Sequence, residues 1–260
     1  MLRPRIIPCL LVQDGGLVKT VKFADAKYVG DPINAVKIFN EKQADELIVL
    51  DIDATVKANE PNYKQISHLS AECRMPLCYG GGVKTAKQAK KIVSLGVEKV
   101  AVSSALVERP ALAKEMADEV GSQSVVAVLD VKSSFLGRSL EVWTHNGKRN
   151  SKRKFIDLAT ELVQLGVGEI VLNSIDLDGT MKGYDRNAAK ELRQHVDVPI
   201  TILGGAGSLE HMESVVADCG VMGLAAGSLF VFKGAYRAVL INYPSELQKE
   251  KIFKSAISKI

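Results

Sequence analysis

The sequence predicts a (β/α)8 barrel. Short runs rich in Val, Ile and Leu recur eight times, and between them lie stretches whose apolar residues repeat with helical spacing, the pattern of a parallel sheet with helical crossovers. The whole array occupies 260 residues, close to the roughly 250 that such a barrel takes. The second half also repeats the first. PLCYGGGVKTAKQAKKIVSLGVEKVAVSSALVE, from Pro76, resembles PITILGGAGSLEHMESVVADCGVMGLAAGSLFVF, from Pro199, and IVLDIDAT, from Ile48, resembles IVLNSIDLDGT, from Ile170. This predicts two fused half-barrels, about 1–120 and 121–245, followed by a terminal helix over 245–260. Neither half would close a barrel alone, so one domain over 1–260 is expected.

In chain order the strands are predicted at Ile6–Val12, Glu46–Ile52, Leu77–Tyr79, Lys99–Val102, Val125–Val131, Glu169–Asn173, Ile200–Leu203 and Val221–Ala226. Each is a near-continuous apolar run, as expected of strands covered on both faces. The amphipathic segments between them are Pro32–Gln43, Thr85–Leu95, Ala111–Val120, Lys154–Leu165, Arg186–His195 and Leu209–Ala217. FLGRSLEVWTHNGKR, around Trp143, reads as a hairpin inserted after the fifth strand, either a lid over the site or ordinary packing. The last helix, around Pro244–Ile260, is expected to cover the barrel edge.

Composition narrows the function classes. With 47% apolar and 25% charged residues the chain can bury a large core, and no apolar run approaches the roughly 18 residues of a membrane span. MLRPRIIPCLLVQDGG runs into a folded pattern rather than a cleavage site, and a soluble cytoplasmic protein without membrane contact is expected. Cys9, Cys73, Cys78 and Cys219 lack metal-type spacing and are expected to be reduced core residues. His68, His145, His195 and His211 show no convergent partners, so no metal site or cofactor is expected. The net charge of +4 is mild and dispersed, and the basic run Lys148–Lys154 reads as a solvated loop before a helix rather than a nucleic-acid surface.

Barrel chemistry sits where strands end at their C-termini. Asp51, Asp53, Asp130, Asp176 and Asp178 fall there, with Lys19 in the first loop. Asp130 ends the apolar run VVAVLD and would point into the mouth as a general acid or base, whereas Asp53 and Asp178 could equally cap the following helices. The Gly80-Gly81-Gly82 turn pairs with Ser103-Ser104 after the next strand, and Gly204-Gly205-Ala206-Gly207 pairs with Gly227-Ser228. Such turns leave backbone N–H groups to hold phosphate oxygens, so a ligand with a phosphate at each end is expected. At the opposite end Arg5, Glu46, Lys99 and Glu169 begin four different strands and could close a ring of ion pairs across the floor, a plug or a gate. Laying Cys9–Val12 over Val128–Val131 places Leu11 on Asp130, an apolar residue where its internal counterpart is a carboxylate.

Taken together, RIIPCL, DGG, GDP, DELIVLDI, YGGGV, GVEKV, GSQSVV, GVGEI, NSIDLDGT, GYD, GGAG and AAGS make the chain resemble, over nearly its whole length, the cyclase subunit of imidazole glycerol phosphate synthase, the ammonia-using half of a glutamine amidotransferase in histidine biosynthesis. The resemblance implies a glutaminase partner on the barrel floor, with ammonia passing a gate formed here by Arg5, Glu46, Lys99 and Glu169. It implies phosphate binding at Gly82, Ser103, Ser104, Asp178, Gly179, Gly205, Gly227 and Ser228, and Lys19 and Asp51 also fall on family positions. The family uses two aspartates as an acid–base pair; one is present as Asp130 and the other position holds Leu11, which carries no proton. Two readings follow. One is a divergent cyclase in which Asp14, Lys19 or Asp176 supplies the missing group. The other, favoured, is a paralogue resembling the accessory amidotransferase subunits of bacterial surface-polysaccharide clusters, which work with a glutaminase and a separate sugar-modifying enzyme on a nucleotide-activated sugar. A non-catalytic ammonia-conducting scaffold is the third alternative.

Overall fold

The computed structural model describes residues 3–134, 139–234 and 236–257, with backbone alone at 256 and 257. Eight parallel strands form the barrel: β1 (Arg5–Gln13), β2 (Leu47–Asp51), β3 (Leu77–Gly80), β4 (Lys99–Val102), β5 (Val125–Ser133), β6 (Glu169–Ser174), β7 (Ile200–Leu203) and β8 (Gly223–Ala226). Each pairs with the next, and β1 closes the ring on β8 with Arg5 opposite Gly223 and Pro8 opposite Ala226. The eight predicted strands are all present, within a few residues of their expected bounds.

Around the sheet run α1 (Pro32–Glu41), α2 (Tyr63–Glu72), α3 (Ala86–Ser94), α4 (Leu112–Val120), α5 (Phe155–Gln164), α6 (Arg186–His195) and α7 (Leu209–Cys219). Local chemistry starts several of them. Asp31 accepts from the Asn34 N–H just before Pro32, and Thr85 and Gln88 form a reciprocal capping box at the head of α3. α2 was not expected from the sequence; Asn62 caps it through the Gln65 N–H. The final helix, α8 (Glu246–Ile257), packs on α7, with Ile252 buried and Lys251 bridging to Glu213 at 3.3 Å, and so covers the barrel edge as expected; residues 258–260 of that expectation lie outside the described residues.

Alternation along the strands sorts side chains into two cores. On β1, Ile6, Leu10 and Val12 face the helices, whereas Ile7 and Cys9 face the barrel axis with Leu11 packed against them. The axial column also contains Ile48, Cys78, Ala101, Val126, Val128, Val171, Leu203 and Ala225. A filled apolar column thus separates the two ends of the barrel.

Two antiparallel extensions rise from the C-terminal mouth. After β1 the chain turns back on itself through Gly16–Val21 and Ala24–Gly30, a hairpin the sequence reading missed. After β5 the expected second hairpin is formed by Leu140–Thr144 and Arg149–Lys154, with Asp130 opposite Trp143; the Phe135–Arg138 part of that expectation lies outside the described residues. Arg149–Lys154 is therefore a strand, which corrects the reading of Lys148–Lys154 as a solvated loop.

Candidate active site and barrel floor

A cavity of about 500 Å³ opens at the C-terminal mouth. Its lining brings together Lys19, Asp51, Gly82, Ser103, Ser104, Asp130, Asp178, Gly179, Gly205, Gly227 and Ser228, residues contributed by seven strand ends and the first hairpin. Asp176, expected beside them, is not in the lining: its Oδ2 accepts the Ser133 N–H at 2.9 Å and steadies the end of β5. Asp14 is also outside, ion-paired with the exposed Lys57, and Asp53 pairs with the same lysine at 2.9 Å. Their shared ion pairing with Lys57 holds both carboxylates outside the mouth.

Asp130 sits at the cavity base. Its Oδ1 accepts from Asn173 Nδ2 at 2.8 Å and its Oδ2 from Ser103 Oγ at 3.1 Å. Burial pushes the carboxyl up to about 6, against the pull of those two donors. A group with that pKa exchanges a proton readily near neutrality. The sequence reading missed Asn173. Besides orienting Asp130, it lines the cavity with a buried Oδ1 that has no hydrogen-bond partner among the described residues.

Lys19, from the first hairpin, is buried and donates to the Cys9 carbonyl at 2.6 Å. Burial lowers its pKa, partly opposed by Cys9 and Asp178. Asp178 accepts from Thr20 Oγ1 at 2.7 Å and the Phe23 N–H at 3.1 Å, tying the hairpin to the loop after β6, and burial raises its pKa. It does not cap the following helix; Asp185 does so through the Ala188 N–H. Asp51 accepts the Asp53 and Ala54 N–H groups, both at 3.1 Å, and burial again raises its pKa. Gly205, in the turn after β7, has φ +99°, and any Cβ there would lie 2.0 Å from the Gly183 carbonyl, so the turn requires glycine. Leu11 lines the same cavity from the end of β1, beside the apolar Leu50, Val128 and Leu203.

The second hairpin brings in three groups that looked unremarkable in the sequence. The His145 N–H donates to Ser104 Oγ at 3.2 Å, and the ring contacts Thr144 Oγ1 at 3.1 Å and an Arg149 nitrogen at 3.4 Å. His145, Asn146 and Arg149 all line the cavity, which corrects the expectation that the histidines lack convergent partners. Asn146 Nδ2 reaches across the mouth to the Ile52 carbonyl at 2.8 Å, so the turn straps β5 to the loop after β2. Among the described residues no group of three or more His, Cys, Asp or Glu side chains is placed to hold a metal ion, and no helix is long and apolar enough to cross a membrane.

At the floor the four charged strand starts form a closed ring. Arg5 pairs with Glu46 and, at 2.7 Å, with Glu169, while Lys99 pairs with both carboxylates at 2.8 Å. The glutamates are buried, with side chains 4% and 6% exposed. Burial works to raise the Glu169 pKa, but Arg5 and Lys99 outweigh it and hold it below the usual range.

The fold and site define a β/α barrel with an acid–base cavity at one end and a charged ring at the other. The chain belongs to the histidine biosynthesis protein family, whose model matches residues 5–237. It is 55% identical to a Leptospira borgpetersenii protein provisionally named imidazole glycerol phosphate synthase subunit HisF, over 97% of this chain and 100% of that one. A Pseudomonas aeruginosa protein provisionally named as subunit hisF2 of the same synthase is 52% identical, over 94% and 97% of the two chains. The imidazole glycerol phosphate synthase subunit HisF of Chloroherpeton thalassium is 37% identical, over 90% and 92%.

Proposed function

We propose that this chain is the ammonia-accepting synthase subunit of a glutamine amidotransferase, a cytoplasmic paralogue of the histidine-pathway cyclase working as one domain of two half-barrels. In this reading a glutaminase docks on the floor and releases ammonia beneath the ring of Arg5, Glu46, Lys99 and Glu169. The apolar axial column favours neutral ammonia over ammonium, because an unpaired ion is strongly disfavoured there. In the mouth the glycine-rich turns and Ser103, Ser104 and Ser228 hold an anionic acceptor. Ammonia adds to an acceptor carbon that already carries a leaving group, that group departs with the electron pair of the bond that breaks, and Asp130 takes up the proton that the new nitrogen sheds. The acceptor would be a nucleotide-activated sugar, amidated or amidinated for surface polysaccharide such as O-antigen together with a separate sugar-modifying enzyme.

The observation that carries the paralogue reading is Leu11. It faces the cavity that holds Asp130, at the position where the resemblance calls for the second member of the acid–base pair. Losing one partner of such a pair costs about two to four powers of ten in rate. One observation favours a second reading, in which the chain is itself the cyclase: Lys19 stands buried in the same cavity with a lowered pKa and could replace the missing carboxylate.

The test is turnover of the histidine-pathway bisphosphate by the purified chain with ammonium salt and no glutaminase, comparing wild type with Leu11→Asp. The expected result is no turnover in wild type and activity gained in Leu11→Asp. Rapid wild-type turnover would overturn the paralogue reading in favour of the cyclase.

A further inference from the structure

Thr201, on β7, is fully buried, and its hydroxyl belongs to the floor ring. Oγ1 donates to Glu169 Oε1 at 2.6 Å and accepts from Arg5 Nη2 at 3.4 Å. Nothing in the local pattern signals this, since Thr201 is a lone hydroxyl inside the apolar run PITIL. The hydroxyl divides the ring unevenly. Glu169 is held by Arg5, Lys99 and Thr201, whereas Glu46 is held by Arg5 and Lys99. The neighbouring strand is shaped around it: a Cβ on Gly223 would lie 1.9 Å from Thr201 Oγ1, so a side chain there would displace the hydroxyl.

We infer that Thr201 is a positioning residue that holds the Arg5–Glu169 side of the floor ring closed, so that passage from the floor into the barrel interior requires this hydrogen bond to break. Its significance for ammonia rests on the function proposed above, but the closure itself can be measured without any acceptor or partner. Two buried thiols mark different depths of the axis. Cys9 lines the mouth cavity, whereas Cys78 packs in the axial column beside Lys99 in the sheet register and senses the charges of Glu46 and Glu169.

The experiment follows methyl methanethiosulfonate labelling of Cys9 and Cys78 by peptide mass in wild type, Thr201→Val and Thr201→Ser, at fixed pH and with melting temperature as a control for folding. Thr201→Val keeps the shape and removes the hydroxyl, and Thr201→Ser restores it. The expected result is about tenfold faster labelling of Cys78 in Thr201→Val, the scale on which losing one hydrogen bond to a charged group shifts an opening equilibrium. Cys9 should be unchanged and Thr201→Ser should label like wild type. Unchanged Cys78 labelling, an equal rise at both thiols, or a serine variant as open as the valine variant would each overturn the inference. If Thr201→Val does not fold, Thr201→Ala removes the same hydroxyl and is read in the same way.

Discussion

At the scale of single residues, Asp130 shows what the site costs the fold. A carboxyl with a native pKa near 6 and an ordinary value of 3.8 favours its protonated form in the native state, so its stability contribution is complete below about pH 4 and is lost as pH rises through about 6. Replacing Asp130 with Asn should therefore stabilise the chain at pH 7.5 by no more than about 3 kcal/mol, while abolishing the amidation proposed above. Melting curves of wild type and Asp130→Asn at pH 7.5 and 4.5 check this, and the gain should shrink at the lower pH. Asp130 was legible in the sequence because a carboxylate ending a strand of apolar residues has one natural direction to point. Asn173, Thr201 and His145 were not, since each owes its place to partners 32 to 196 residues away. Asp176 misled for the converse reason. Its position matches a mouth residue, but a backbone N–H from the neighbouring strand captures its carboxylate.

At the scale of elements, periodicity revealed what burial enforces. The helix α2 escaped notice because YKQISHLSAE buries only Ile66 and Leu69, too few to make a helical stripe. The strand Ala24–Gly30 is exposed along most of its length, so the alternation of Ala24, Ala26 and Tyr28 with polar residues is short and buries no face. These weakly patterned elements rely on their ends and their turns. Where a cap is well formed its removal should register directly: Thr85→Ala deletes one half of the α3 capping box and should cost about 1 kcal/mol in urea denaturation, with an unchanged slope. The mouth hairpins are positioned by side-chain bonds to distant loops, Asp178 to Thr20 and Asn146 to Ile52, which no local pattern announces.

At the scale of the whole molecule, the barrel closes on itself twice, once through the β1–β8 pairing and once through the floor ring. Glu169→Gln leaves Arg5 and Lys99 largely buried against one remaining carboxylate and should destabilise the chain by about 3 kcal/mol at pH 7. The native pKa of Glu169 is depressed, so its contribution is present above the ordinary glutamate range and lost as pH falls through the native value. The gap between wild type and Glu169→Gln in chemical denaturation should accordingly close in acid.

The ring also has a consequence for synthesis. A chain leaving the ribosome presents Arg5, Glu46 and Lys99 well before Glu169, so the first half emerges with two cations against one carboxylate. The floor becomes electrically neutral only when β6 arrives, and Thr201 follows on the very next strand. A nascent first half therefore has a standing electrostatic reason to wait for the second.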